Sequence, residues 1–309
     1  MKILITCPPM IGLINEFKPI FDSISFEVYC PTFHQTMSEY ELIELVPQFD
    51  GWIIGDDPAT YAVFEAGKLG KLKAAVKWGV GVDNVDFRAA KEIGIPVKNT
   101  PGMFGKEVAD IAMGYIISLA RQTHYIDRFV RQGFWPKPPG ISLAGKIVAL
   151  VGFGDIGRNT FKRLLAAEMN VIVYDPNLEE VNESVELAKW PNRIKEADFI
   201  VLTCSLTTEN RHLIDEKILR QVKHGVRIVN VARGQLINEI HLLEALDSGI
   251  VHSAALEVFE LEPLSEYSEL RNYDQCIFGS HNGSNTIDAV KKASLMSIEI
   301  LSEFLKIKL

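Results

Sequence analysis

KIVALVGFGDIGRNTFKRLLAAEMNVIVYDP, Lys146 to Pro176, is the stretch of this 309-residue chain whose reading decides the fold. Ile147 to Val151 is an unbroken apolar run, too short for a helix and suited to a parallel strand buried on both faces. The chain then turns through Gly152-Phe153-Gly154-Asp155-Ile156-Gly157. The first glycine permits the tight turn, the second lets backbone N–H groups approach a pyrophosphate, and the third lets the next helix pack closely on the strand. Arg158 to Met169 is the expected helix, and its N-terminal end, rich in unpaired N–H donors, would face the phosphates. Val171 to Tyr174 reads as a second strand ending in Asp175, close to the spacing at which an acid accepts hydrogen bonds from an adenosine ribose. A glycine triplet alone is often only a turn. Strand, glycines, helix, strand and acid in one register indicate a dinucleotide site. NAD fits it better than NADP, because a 2′-phosphate would meet Asp175 with no arginine following to offset the repulsion.

The rest of the chain is compatible with a protein of two α/β domains. Apolar content of 47% and charged content of 23% are ordinary for a globular protein. A net charge of −8 argues against nucleic acid or an anionic membrane as the main partner. No apolar run reaches the ~18 residues of a membrane span, and the start of the chain looks like a first strand rather than a signal peptide. Cys7, Cys30, Cys204 and Cys276 show no Cys-x-x-Cys pairing; they are expected to be reduced, buried thiols of a cytoplasmic protein, with no metal site.

The N-terminal third alternates strands (Lys2 to Thr6, Phe26 to Tyr29, Gly51 to Ile54, Ala74 to Lys77) with helical stretches such as Ser38 to Val46 and Ala62 to Leu69. This is a second βα domain. It has no phosphate-binding glycine turn, so it would contact substrate rather than hold the cofactor. Lys77-Trp78-Gly79-Val80-Gly81-Val82-Asp83-Asn84 places alternate glycines just after a strand, where successive N–H groups turn into one concavity suited to a carboxylate. A plain glycine turn is the competing reading. Lys77, Gly79, Val80 and Gly81 are the substrate-side candidates.

Asn99-Thr100-Pro101-Gly102 breaks the chain before one long helical pattern, Glu107 to Val130, expected to be a linker helix or a dimer face. Gly133-Phe134-Trp135-Pro136-Lys137-Pro138-Pro139 reads as a stiff aromatic loop that packs on a partner subunit or caps its own core. Further strands follow at Phe199 to Thr203, Arg227 to Val231, Val251 to Leu256 and Cys276 to Phe278. Arg233, Glu257 with Glu262, and His281 fall at or just beyond the ends of the last three. In an open parallel sheet ligands bind outside the carboxyl ends of the strands. A single arginine, glutamate or histidine is more often a solvated or satisfied polar group, but their shared edge makes them candidates for chemistry.

The chain resembles the D-isomer-specific 2-hydroxyacid dehydrogenase family, which includes short phosphoglycerate dehydrogenases and glyoxylate or hydroxypyruvate reductases. The resemblance runs from about Asp50 to about Ser294. It is carried by Gly79 to Asp86, Asn99-Thr100-Pro101-Gly102, Gly152 to Gly157, Asn230-Val231-Ala232-Arg233-Gly234, Ala255 to Pro263, and His281. It implies two Rossmann-like or flavodoxin-like βα domains with doubly wound parallel sheets and a cleft between them. The substrate domain would comprise 1–98 plus a returning helix in 287–309, and the NAD-binding domain 99–286. The implied catalytic set is Arg233, Glu262 and His281. The implied cofactor set is Gly152, Gly154, Asp155, Ile156, Gly157, Asp175, Cys204, Ala232 and Glu257. Relatives dimerise through the cofactor domain, so a homodimer is expected. No regulatory domain follows Leu309, so feedback by serine is not.

The implied reaction is reversible hydride transfer between NAD and a D-2-hydroxy acid. Arg233 and the N–H groups of Val80 and Gly81 would hold the carboxylate, and Arg233 would polarise the C2 oxygen. His281 would exchange the hydroxyl proton, oriented by Glu262, whose charge favours the imidazolium. Related corepressors of transcription use the same fold to sense NADH, so a binding protein without turnover is the alternative. The absence of a basic segment weighs against it.

Several positions depart from the family. Glu257 replaces the usual aspartate that contacts the nicotinamide carboxamide, Ser280 a proline before the histidine, and Asp110 a common glutamate. Phe104 stands where many relatives carry a substrate-side asparagine. Asp56-Asp57 falls where phosphoglycerate enzymes place a phosphate-binding arginine. At an effective dielectric of about 20, a like-charge pair ~4 Å apart costs on the order of 4 kcal/mol. The aspartates therefore favour a distal group that is neutral, hydroxylated or cationic over the phosphate of 3-phosphoglycerate, unless they are solvated turn residues or cap the helix near Pro58.

Overall fold

Ile3, Leu4 and Ile5 are wholly buried, and they form the strand around which the first sheet is built. A computed structural model describes residues 1–33, 35–178 and 185–307. It contains two compact units, Met1–Phe104 with Asn285–Leu309, and Gly105–Ser284.

The first unit has β1 (Lys2–Ile5), β2 (Glu27–Tyr29), β3 (Gly51–Ile54), β4 (Ala74–Lys77) and β5 (Val97–Asn99) in the all-parallel order β2-β1-β3-β4-β5. Every residue of β3 and β4 is buried, as expected for strands covered on both faces. Helix starts follow local chemistry. Ser38 and Glu41 make a capping box for Glu39–Leu45, Thr60 caps Tyr61–Leu69, and Asp86 caps Phe87–Ile93, which ends on the left-handed Gly94. The C-terminal helix, Ile287–Phe304, packs on this sheet and is tied to it where the Trp78 indole N–H donates to Ser294 Oγ at 3.1 Å. The last two residues of its expected span, 308–309, lie outside the described residues. The unit boundaries fall at Phe104 and Asn285, whereas the sequence reading placed them after 98 and before 287. Thr100 exchanges hydrogen bonds with Gly79, and Phe104 packs on Trp78 with ring centroids 5.1 Å apart, which keeps 99–104 with the first sheet.

The second unit has β6 (Ile147–Val151), β7 (Asn170–Tyr174), β8 (Glu186–Leu187), β9 (Phe199–Leu202), β10 (Val226–Asn230), β11 (Val251–Leu256) and β12 (Ile277–Phe278). Their order is β12-β11-β10-β9-β6-β7-β8, parallel throughout, and it reverses between β6 and β9. That reversal is the switch point at which doubly wound sheets open a ligand crevice. The fingerprint helix runs Asp155–Ala166, three residues earlier at each end than the sequence indicated, because Gly154 is its N-cap and Asp155-Ile156-Gly157 is already its first turn.

One expected element is two. The single helix expected from Glu107 to Val130 divides into Gly105–Arg121 and Thr123–Arg131, with Gln122 between them at φ 54°. The first stops because its last carbonyls find partners elsewhere: Leu119 O accepts from Arg227 Nε at 3.3 Å, and Ala120 O from Ile141 N–H at 2.9 Å. Among the described residues, no helix is long and apolar enough to cross a membrane.

Candidate active site

Gly152 sits at φ 94°, and a Cβ there would lie 2.6 Å from the Cys204 backbone, so the turns after β6 and β9 approach as closely as backbone allows. Gly157 is constrained in the same way: its Cβ would fall 2.2 Å from Gly152 O. Gly154 is different. A Cβ there would meet nothing within 4 Å, so this glycine faces open space at the start of the helix Asp155–Ala166. The Asp175 carboxylate is fixed by the Phe153 and Asn177 N–H groups at 2.7 and 2.9 Å. Thr203 Oγ1 joins the two turns by donating to Val151 O and Gly152 O, at 3.1 and 2.9 Å. Burial pushes the Cys204 thiol up to about 11, so it remains protonated. Asp155 accepts from Asn159 Nδ2 at 3.0 Å and lies against Gly105, whose Cβ would sit 2.3 Å from the carboxylate.

Past β10, wholly buried Asn230 shapes the turn. Its Oδ1 accepts from Ala232 N–H at 3.0 Å, and its Nδ2 donates to Arg233 O at 2.8 Å. Arg233 Nη1 donates to Ala232 O at 2.8 Å. Gly234 then lets this turn meet the segment after β11, because a Cβ would fall 1.8 Å from the Phe259 carbonyl carbon. Glu262 belongs to that segment. Its Oε1 accepts from Phe259 N–H at 3.0 Å, and its Oε2 lies 2.7 Å from His281 Nδ1. Against a carboxylate, Nδ1 carries the proton, which leaves Nε2 as the nitrogen able to exchange one with a ligand.

Residues 113–283 match the model of the D-isomer-specific 2-hydroxyacid dehydrogenase NAD-binding domain. Hydroxypyruvate reductase of Thermotoga maritima is 38% identical over 264 residues, covering 84% of this chain and 86% of that protein. The chain belongs to the D-isomer-specific 2-hydroxyacid dehydrogenase family. D-3-phosphoglycerate dehydrogenase of Methanocaldococcus jannaschii is also 38% identical, over 99% of this chain but only 58% of its own length. In structure, D-lactate dehydrogenase of Escherichia coli matches with a TM-score of 0.84 over 99% of this chain and 97% of that one, at 27% identity.

As a member of this family, the protein is an NAD-dependent dehydrogenase acting on CH–OH groups. The geometry of the second unit fits the cofactor. The open space at Gly154 lies at a helix N-terminus, where N–H donors suit a pyrophosphate, and Asp175 ends the second strand, where a ribose is expected.

Other candidates are placed with more specific partners than the sequence disclosed. Glu257 is buried, and its carboxylate accepts from the Tyr115 hydroxyl and the Asn282 N–H. Within the first unit, the Gly79 N–H is taken by Thr100 Oγ1 at 2.8 Å with Gly79 at φ 116°, so this residue is the bend of its loop. Val80 is 37% exposed beyond it and Gly81 is half-buried. Lys77 is 3% exposed, its ammonium donating to Gly55 O at 2.6 Å and pairing with Asp56 at 3.0 Å. Asp57 is neither a solvated turn residue nor a helix cap. It is 0% exposed, accepts from Met37 N–H at 2.9 Å, and Thr60 is the cap instead. The reading of two aspartates side by side at a ligand-facing edge is therefore corrected: Asp57 is turned into the protein, and Asp56 pairs with the Lys77 ammonium. Tyr115, Asn230, Gly234 and Gly279 were not singled out for a role by the sequence. Asn230 acts on its own turn, whereas Tyr115, Gly234 and Gly279 make contacts that join segments apart in the chain.

Proposed function

We propose that the enzyme interconverts a D-2-hydroxy acid and its 2-oxo acid, with His281 as the acid–base group, Glu262 as its orienting partner and Arg233 as the carboxylate-binding residue. The observation that supports this most directly is the 2.7 Å contact of His281 Nδ1 with Glu262 at the carboxyl edge of β11 and β12. When bound, NAD supplies the hydride acceptor of the oxidation and NADH the donor of the reduction. The chain's own residues handle the proton and the charge. His281 Nε2 takes the proton of the C2 hydroxyl in oxidation and returns it to the C2 oxygen in reduction. Arg233 offers a planar set of donors, which suits a carboxylate and an adjacent oxygen. Within the first unit, the backbone N–H groups of Val80 and Gly81 follow the Gly79 bend and suit a carboxylate.

For the substrate we favour an unphosphorylated 2-oxo acid such as hydroxypyruvate or glyoxylate. Lys77, the nearest cation in sequence to this loop, is buried and balanced by Asp56, so the pair offers a phosphate no net positive charge. The similarity to hydroxypyruvate reductase over 84% of the chain supports the same choice. A homodimer built on the cofactor unit is the proposed assembly.

The test is NADH oxidation with hydroxypyruvate, glyoxylate, pyruvate and 3-phosphohydroxypyruvate. Wild type is expected to favour the unphosphorylated acids by about tenfold or more in kcat/KM. Asp56→Asn narrows that gap by leaving Lys77 uncompensated. Arg233→Ala and His281→Ala lose about 100-fold or more in turnover while still binding NADH. A wild-type preference for 3-phosphohydroxypyruvate would overturn the substrate assignment. Wild-type rates in either alanine variant would overturn the role given to that residue, and NADH binding without turnover of any acid would overturn the enzyme's proposed reaction.

A further inference from the structure

We propose that Glu257, anchored by Tyr115, is a positioning residue for His281 and not a ligand of the nicotinamide carboxamide. The inference rests on the acid–base role given to His281 above.

His281 has a backbone φ of 54°, the left-handed region that a side chain bearing a Cβ seldom adopts. Such a conformation persists only where its surroundings enforce it, and Glu257 supplies two of the restraints here. The His281 N–H donates to Glu257 O at 2.9 Å, and the next N–H, that of Asn282, donates to Glu257 Oε1. Two successive amides are thus drawn onto the backbone and side chain of one residue, which turns the chain at His281. The imidazole is then fixed at its other end by Glu262.

The brace needs its own anchor, because a glutamate side chain has three rotatable bonds. Tyr115, on the helix Gly105–Arg121, donates its hydroxyl to Glu257 Oε2. Burial, reinforced by the Glu257 carboxylate, raises the Tyr115 phenol well above its ordinary range, so the hydroxyl keeps its proton and remains a donor at any working pH. With an N–H on one oxygen and an O–H on the other, the carboxylate acts as acceptor to both partners. It is 3% exposed, so water competes little for either bond.

The route from β11 to Tyr115 passes over Gly279. A Cβ there would lie 1.9 Å from Glu257 Oε2 and 2.6 Å from Tyr115 Oη, so the glycine is what makes room for the bridge. Length matters equally. An aspartate, the residue usual at this position in the family, is shorter by one methylene, about 1.5 Å, and would not reach both Tyr115 and Asn282. The change to glutamate and the glycine at 279 therefore belong to one device, whose ends are a helix tyrosine and the turn bearing the acid–base histidine.

The test uses the 309-residue chain and the variants Tyr115→Phe, Glu257→Asp and Glu257→Gln, with three readouts. These are the NADH dissociation constant by fluorescence titration, kcat and KM for the best 2-oxo acid, and amide hydrogen exchange across residues 279–283. Tyr115→Phe removes only a hydroxyl, which keeps the test available where a Glu257 variant fails to fold. The expected result is a kcat lower by about tenfold at saturating NADH, an NADH dissociation constant within about twofold of wild type, and exchange at 281–282 faster by about tenfold or more. Glu257→Asp is expected to behave like Tyr115→Phe despite carrying the family's usual residue. The proposal is overturned if the Glu257 variants weaken NADH by fivefold or more, roughly, with kcat intact. It is equally overturned if Glu257→Asp keeps full kcat, or if exchange at 281–282 is unchanged in all variants. A wild-type chain that turned over no 2-oxo acid would defeat the proposed reaction, and the exchange readout would still decide whether Glu257 braces the turn.

Discussion

Asp57 is a carboxyl group in a place that disfavours its charge. It is completely buried, Met37 N–H satisfies Oδ1, and Oδ2 has no hydrogen-bond partner among the described residues. Burial raises its pKa above the ordinary 3.8, and the neighbouring charge of Asp56 acts in the same direction. Below pH 3.8 the group is neutral in both folded and unfolded chains and costs nothing. As pH rises through the elevated folded value, the unfolded chain ionises freely while the folded one ionises at a penalty, so stability is lost over that interval. Asp57→Asn keeps the acceptor for Met37 and removes the charge. We expect it to stabilise the protein at pH 7 by about 1 kcal/mol, or roughly 2–4 °C in the first thermal transition, with the gain shrinking towards pH 4. Thermal scans of both proteins at the two pH values check this. An equal gain at both pH values would mean that charge is not the cause, and a loss at pH 7 would mean that Asp57 has an ionised role.

At the scale of the element, the glycine turn after β6 separates fold from function residue by residue. Gly157→Ala drives a Cβ into Gly152 O, which is backbone and has nowhere to move. Gly154→Ala adds a methyl to open space. The expectation is that Gly157→Ala lowers the melting temperature of the cofactor-free protein by several degrees. Gly154→Ala leaves that temperature within about 1 °C yet weakens NADH by about tenfold or more, because the added methyl occupies space the pyrophosphate requires. Equal NADH affinity in Gly154→Ala and wild type would remove Gly154 from the cofactor site. The fingerprint was legible in the sequence because strand, glycines, helix, second strand and acid fall in one continuous stretch, although Gly152 answers to the Cys204 backbone after β9. Arg233, Glu262 and His281 could be nominated from the sequence because strand ends can be located from apolar runs. The break at Gln122 was not. Apolar spacing continues through both helices, no glycine or proline marks the junction, and the Leu119 carbonyl is capped by Arg227, 108 residues further on. The Tyr115 to Glu257 bridge spans 142 residues, and Asp57 gave no hint of burial because its partner Met37 lies on another loop.

At the scale of the whole molecule, the helix Thr123–Arg131 poses a question of assembly. None of its residues is buried, although it carries aromatic and aliphatic side chains. Tyr125 and Phe129 pack with centroids 4.4 Å apart, Phe134 adds an edge contact to Phe129 at 5.9 Å, and Arg128 ties the helix back by an ion pair with Asp274. Beyond that ladder, Phe134 is 60% exposed and Trp135 is 78% exposed. Trp135 thus does not cap the core of its own unit, which was one of the two readings open from the sequence. Several large apolar side chains together on one surface segment, stiffened by Pro136, Pro138 and Pro139, have the makeup of an interface anchor. A two-fold contact would use the same segment on both chains, so each substitution acts twice. We expect a dimer of the 34.6 kDa chain at micromolar concentration. Trp135→Ala combined with Phe134→Ala should raise its dissociation constant by about 100-fold or more, since two anchors per chain are lost on both sides. Sedimentation or light scattering across a dilution series checks both statements. A monomer mass for wild type at micromolar concentration would sink the dimer, and a dimer whose dissociation constant ignores the double substitution would place its interface elsewhere on the cofactor unit.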